Sequence, residues 1–173
     1  MLDQIQGLPT HPLVVHLPVV LIPLTLLLAI LAVSWPRARR VLSLIVLIGA
    51  AASMLGAQIA VMSGGWLEEN VRETAVVEQH AELGDQTRAL AILMFLAAVG
   101  FVAREWSDRL PGGERLRRLT AHRGVAVAMS VVLLATAVLT TVWVVRTGHM
   151  GAKAAWSEVP AATAPAAGTV GGG

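Results

Sequence analysis

The 173-residue sequence predicts an all-α fold, a membrane-embedded antiparallel four-helix bundle, and three observations carry that expectation. Hydrophobic residues make up 55% of the chain and charged ones 14%, too apolar for an ordinary water-soluble domain. Four runs, Leu13 to Val33, Val41 to Met62, Ala89 to Ala103 and Gly124 to Val145, contain no Asp, Glu, Lys or Arg. Arginine clusters alternate with an acidic loop between these runs, as expected of a chain that crosses a bilayer repeatedly. A helix needs roughly 20 apolar residues to cross. The third run is short, so its helix is expected to begin near His80, with Gly84 to Arg88 as a polar outer turn.

Composition also excludes several classes. The chain has no cysteine, which rules out disulfides, thiolate-held iron–sulfur clusters and covalent haem attachment through Cys-x-x-Cys-His. The net charge is only +2, and no basic stripe with interleaved aromatics suggests nucleic acid. Residues 1–159 read as one transmembrane domain, with spans near 12–34, 40–63, 80–104 and 123–147. Residues 160–173, rich in Ala, Pro and Gly, read as a disordered tail.

In the first span Pro12 suits a first helical turn, whereas Pro18 and Pro23 free the carbonyls of Val14 and Val19 and predict a kink. No Lys or Arg precedes this span, while Arg37, Arg39 and Arg40 follow it. That is the reverse of signal-peptide order. The second span carries Gly49, Ser53, Ala57 and Ala60 three or four apart, with Gly56 beside them, a face for close helix packing. Ser63-Gly64-Gly65 reads as its stop. The next loop holds Glu68, Glu69, Glu73 and Glu78, and Trp66, Leu67, Val71 and Val76-Val77 suit a short surface helix. The third loop, Ser107 to Thr120, reads as a turn followed by a basic juxtamembrane helix on anionic lipid. By the positive-inside rule the first and third loops are cytoplasmic and both termini are extracytoplasmic. The five tryptophans then fall near the two boundaries as interfacial belts.

Four of the five histidines, His11, His16, His80 and His149, fall at the outer ends of three spans; His122 stands alone on the other side and reads as structural. Imidazole is a common metal ligand and a usual axial ligand of haem. Two readings follow. In the first, haem b is held by two of His16, His80 and His149, with Arg88 near a propionate. Arg88 can equally pair with Asp85, three residues away. In the second, zinc or copper is ligated by His11, His16, His80 and His149, with Glu78 or Glu82 as oxygen donors, or the histidines are only structural. His11 and His16 differ by about 140° around a helix, so one faces inward. The deeper His16 is expected inward and His11 at the rim. Gly84, one turn from His80, is expected to leave room for a flat cofactor.

The opening His11-Pro12-Leu13-Val14-Val15-His16-Leu17-Pro18 resembles the His-Pro-x-x-Val-His-Phe-Pro start of a bacterial family of four-span membrane proteins catalogued as a domain of unknown function, DUF2231. The His80 region and Thr147-Gly148-His149-Met150-Gly151 resemble the family's later motifs, with Leu17 in place of Phe and Ala152 in place of a second Gly. The resemblance implies the four-span topology and a bacterial inner-membrane location. Association of some relatives with Rieske and cytochrome-type proteins implies a redox partner at the outer face. The expectation is therefore a small haem b-binding electron-transfer protein, not an enzyme, in contact with lipid and open to homo-oligomerisation. The alternative is a non-catalytic membrane partner or metal-binding protein.

Overall fold

The computed structural model describes residues 4–156 apart from residues 6 and 73. The expected tail 160–173 lies outside the described residues. Gln4–Ile5 (β1) and Leu8–Pro9 (β2) pair as a minute antiparallel hairpin, turned at Gly7 with φ 80°. The other elements are helices: α1 His11–Val14, α2 His16–Ser34, α3 Arg39–Asn70, α4 Ala75–Glu105, α5 Gly113–Thr120 and α6 Arg123–Trp156. The α1–α2 segment, α3, α4 and α6 are each long and apolar enough to cross a membrane.

The break at Val15 is where Pro18 acts. Proline has no N–H to offer the Val14 carbonyl, so regular helical pairing lapses one residue later and resumes at His16. Pro18 is itself buried, and its ring lies against Gly56, where an added Cβ would come within 3.3 Å of its Cδ. The second helix does not stop at Ser63-Gly64-Gly65. It continues to Asn70, because Gly64 serves packing inside the helix and not a left-handed cap. Trp66 and Leu67 therefore belong to the end of α3, and Val76-Val77 to the start of α4, which Thr74 caps through its side chain. No separate surface helix lies between them among the described residues.

The four long helices form a closed ring in the order α2, α3, α4, α6, with α6 returning to α2. Thus α2 faces α4 across one diagonal and α3 faces α6 across the other. Between them lies a core of small and medium side chains, including Ile22, Ala29, Val46, Ala50, Met94, Ala98, Phe101, Leu133 and Ala137. Outward, long aliphatic side chains such as Val20, Ile48, Leu96 and Val131 are exposed, as a lipid-facing surface requires.

The inward positions repeat. Helix α2 buries Pro18, Ile22, Thr25, Ala29 and Ala32. A shift of 69 positions carries all five onto buried residues of α4, namely Thr87, Ala91, Met94, Ala98 and Phe101. The same shift carries His11 onto His80. Helix α6 buries Leu133, Ala137, Thr140 and Val144, and a shift of 87 carries Val46, Ala50, Ser53 and Ala57 of α3 onto them. That shift also carries Gly64 onto Gly151. The chain is therefore two helical hairpins, α1–α3 and α4–α6, with one pattern of burial and the diagonal arrangement of a twofold repeat.

Candidate functional site

The 3–4 spacing of the buried ladder decides which histidines turn inward. His11 stands seven residues before Pro18, and His80 seven before Thr87, so both continue an inward-facing row by two helical turns. His16 precedes Pro18 by two residues and lies on the far side of its helix. The expectation that His16 faces the bundle while His11 holds the rim is reversed. His16 is exposed and reaches only the Leu13 carbonyl of the preceding α1 at 3.4 Å. His149 is likewise exposed, two residues beyond the inward Thr147. Depth was the wrong criterion, because the helix phase had already placed His16 outside.

His11 and His80 meet across the diagonal between α1–α2 and α4. Their ring centroids are 5.9 Å apart with planes at 80°. Each ring is fastened in the same way. His11 Nδ1 donates to the Ala60 carbonyl at 2.9 Å, and the ring lies on Gly64, four residues further along α3. His80 Nδ1 donates to the Thr147 carbonyl at 2.9 Å, and the ring lies on Gly151, four residues further along α6. A Cβ at Gly64 would come within 3.1 Å of His11 Cε1, and one at Gly151 within 2.8 Å of His80 Cε1. Gly84 does not play the part expected of it. The nearest atom to a Cβ there is Val61 Cγ2 at 3.9 Å, and the glycines that meet His11 and His80 come from the neighbouring helices α3 and α6.

The anchoring carbonyls are themselves held. Ser63 Oγ donates to Ala60 O at 3.0 Å and lies 3.4 Å from His11 Nδ1. Thr147 Oγ1 sits within bonding distance of Trp143 O at 2.9 Å, Leu83 O at 3.1 Å and Thr87 Oγ1 at 2.9 Å. This cluster ties α4 to α6 just below His80. Ala60, Ser63, Gly64, Thr147 and Gly151 were all absent from the residues singled out in the sequence as site candidates. The shift that superposes His11 on His80 would have pointed to the glycine pair.

A carbonyl oxygen only accepts, so each Nδ1 carries the proton and each Nε2 is left with a free lone pair. Two imidazoles are thus oriented by backbone from behind, as metal-ligating histidines usually are. They present two nitrogen donors that could hold a metal or cofactor. Among the described residues no three or more His, Asp or Glu side chains gather as a ligand set, so Glu78 and Glu82 do not join them. Arg88 pairs with Asp85 at 2.9 Å on the helix surface. His122, at the other end of the molecule, accepts the Gly124 N–H through Nδ1 at 3.1 Å and caps α6. No curated protein and no solved structure matches the chain. A family model described as a predicted membrane protein, DUF2231, matches residues 7–163, and with its four spans the chain belongs to that family.

Proposed function

We propose that this multi-pass membrane protein binds haem b between His11 and His80 and transfers electrons at that end of the bundle. The observation that supports this is the paired fastening of two rings whose Nε2 atoms are free and whose centres stand 5.9 Å apart across the bundle axis. Two imidazoles sharing one metal ion at metal–nitrogen distances of about 2 Å would have ring centres roughly 5–6 Å apart, a range that includes the edge-to-face separation of His11 and His80. Haem carries four nitrogens of its own and would need only His11 and His80 from the protein, whereas a structural zinc site built from the same pair lacks two of its four ligands. The twofold pattern would let His11 and His80 serve as equivalent nitrogen ligands. Haem would supply the one-electron chemistry, while the Ala60 and Thr147 carbonyls hold the two imidazoles with Nδ1 protonated. Arg88, two turns along α4, would have to leave Asp85 to meet an anionic edge.

By the positive-inside rule this end is extracytoplasmic in a bacterial inner membrane, with a redox partner meeting it there. The full chain, expressed with a haem precursor supplied and purified in detergent, is expected to show a Soret band. His11→Ala and His80→Ala should remove it, while His16→Ala and His149→Ala should leave it. Metal analysis of the same sample separates iron from zinc or copper. A colourless protein, or a band that depends on His16 or His149, would refute the assignment.

A further inference from the structure

The two hairpins differ most at the end away from the histidines. Residues 35–38 suffice to join α2 to α3, whereas α4 and α6 are joined by residues 106–122, which include α5. The shorter connection shows that a hairpin of this kind closes without an extra helix, so α5 is more than a linker. We propose that α5 and the loop before it form a docking site for the phosphate groups of anionic lipids.

The loop and helix flank an open recess of about 820 Å³, whose lining includes Ser107, Asp108, Glu114, Arg115, Arg117 and Arg118. Gly113 lets the helix start against the loop, since a Cβ there would stand 1.9 Å from the Ser107 carbonyl oxygen. None of Arg115, Arg117 and Arg118 makes an ion pair or hydrogen bond among the described residues. The nearby acids are mostly engaged: Asp108 pairs with Arg40, and Glu105 with Arg104, leaving Glu114 in the first turn of α5. A smaller cavity of about 290 Å³ shares Arg117 with the first and adds Arg40 and Arg104. The Nε atoms of those two arginines are buried without a partner. Unengaged guanidinium groups around a recess are the chemistry that recognises phosphate.

Two features select a lipid phosphate over a free one. Helix α5 buries Gly113 and Thr120 and half-buries Leu116 against the bundle, while Leu119 is 68% exposed beside Arg115 and Arg118. Leu110 on the approaching loop is 45% exposed. Exposed leucines among arginines match a surface that places charge at headgroups and apolar side chains beneath them. Trp106, held between the guanidinium groups of Arg40 and Arg109 at 5.0 and 5.2 Å, marks the same level at the end of α4.

The test is native mass spectrometry of the full chain in neutral detergent, titrated with phosphatidylglycerol or phosphatidylcholine. Wild type is expected to retain phosphatidylglycerol preferentially. Replacing Arg115, Arg117 and Arg118 together by Gln should weaken that retention by about fivefold per arginine without changing phosphatidylcholine binding. Circular dichroism verifies that the triple variant is folded. Independently of any variant, raising NaCl from 50 to 500 mM should weaken phosphatidylglycerol retention in wild type. Equal retention of the two lipids, or a preference untouched by the triple change or by salt, overturns the proposal. Displacement of phosphatidylglycerol by equimolar inorganic phosphate overturns its lipid part and assigns the recess to a free anion.

Discussion

Gly49→Ala is expected to destabilise the bundle by about 1–3 kcal/mol, the usual cost of overpacking a filled core. Most of that loss should return when Thr25→Ala is added. The added methyl would stand 2.6 Å from Thr25 Oγ1. Threonine is β-branched and cannot swing away freely. Its hydroxyl is fully buried, donates to Leu21 O at 2.7 Å and lies 3.5 Å from Ser53 Oγ. Any rotation that admits the methyl sacrifices those contacts in the middle of the membrane. Thr25→Ala removes the obstructing oxygen and its bonding requirement together, so the pair should couple by about 1–2 kcal/mol. Unfolding of the four single- and double-mutant forms in detergent, followed by tryptophan fluorescence, measures the coupling. Strict additivity would show that α2 and α3 separate without strain.

Gly151→Ala should have its main effect on His80. The imidazole is a rigid plate with three ring atoms, Cε1, Nδ1 and Nε2, at 2.8, 3.2 and 3.4 Å from the new methyl. It must leave the Thr147 carbonyl, which leaves a carbonyl and an N–H without their partner at a cost of about 1–3 kcal/mol. Gly64→Ala presses His11 less closely, at 3.1 Å from Cε1 and 3.9 Å from Nε2, and should cost less. Gly148→Ala is the control, since nothing lies within 4 Å of its Cβ position. Alanine is the better helix former there, worth up to about 1 kcal/mol. The expected order of thermal midpoints is Gly148→Ala at or above wild type, then Gly64→Ala, then Gly151→Ala. With haem bound, the Soret band should weaken in the same order. Equal behaviour of the three alanines would remove the histidine–glycine packing from the account of the site.

The four long apolar helices and the small-residue face of α3 were legible in the sequence, because apolar length and 3–4 periodicity are properties of the chain itself. Ser53, Gly56, Ala57 and Ala60 are buried as that face required. The basic helix after Ser107 was legible for the same reason. Two readings failed where local signals met tertiary packing. Ser63-Gly64-Gly65 carries the marks of a helix stop, yet Gly64 is helical because an imidazole from another helix rests on it. His16 was favoured for its depth, but depth says nothing about direction. The row formed by His11, Pro18, Thr25 and Ala32 at sevenfold spacing does, and it could have been compared with His80, Thr87, Met94 and Phe101 from residue numbers alone. The carbonyl partners of the two rings were not legible, since they depend on the register between helices.

The repeated pattern bears on ancestry. Each hairpin contributes one histidine, and the carbonyl and glycine that receive its ring come from the same hairpin. Neither half borrows its fastening from the other; only the meeting of the rings crosses between them. A half-length precursor with a single histidine could therefore have made this whole arrangement by pairing with a copy of itself. Fusion of two such genes would then have released the copies from identity, letting one connection grow into α5 while the other stayed a bare turn.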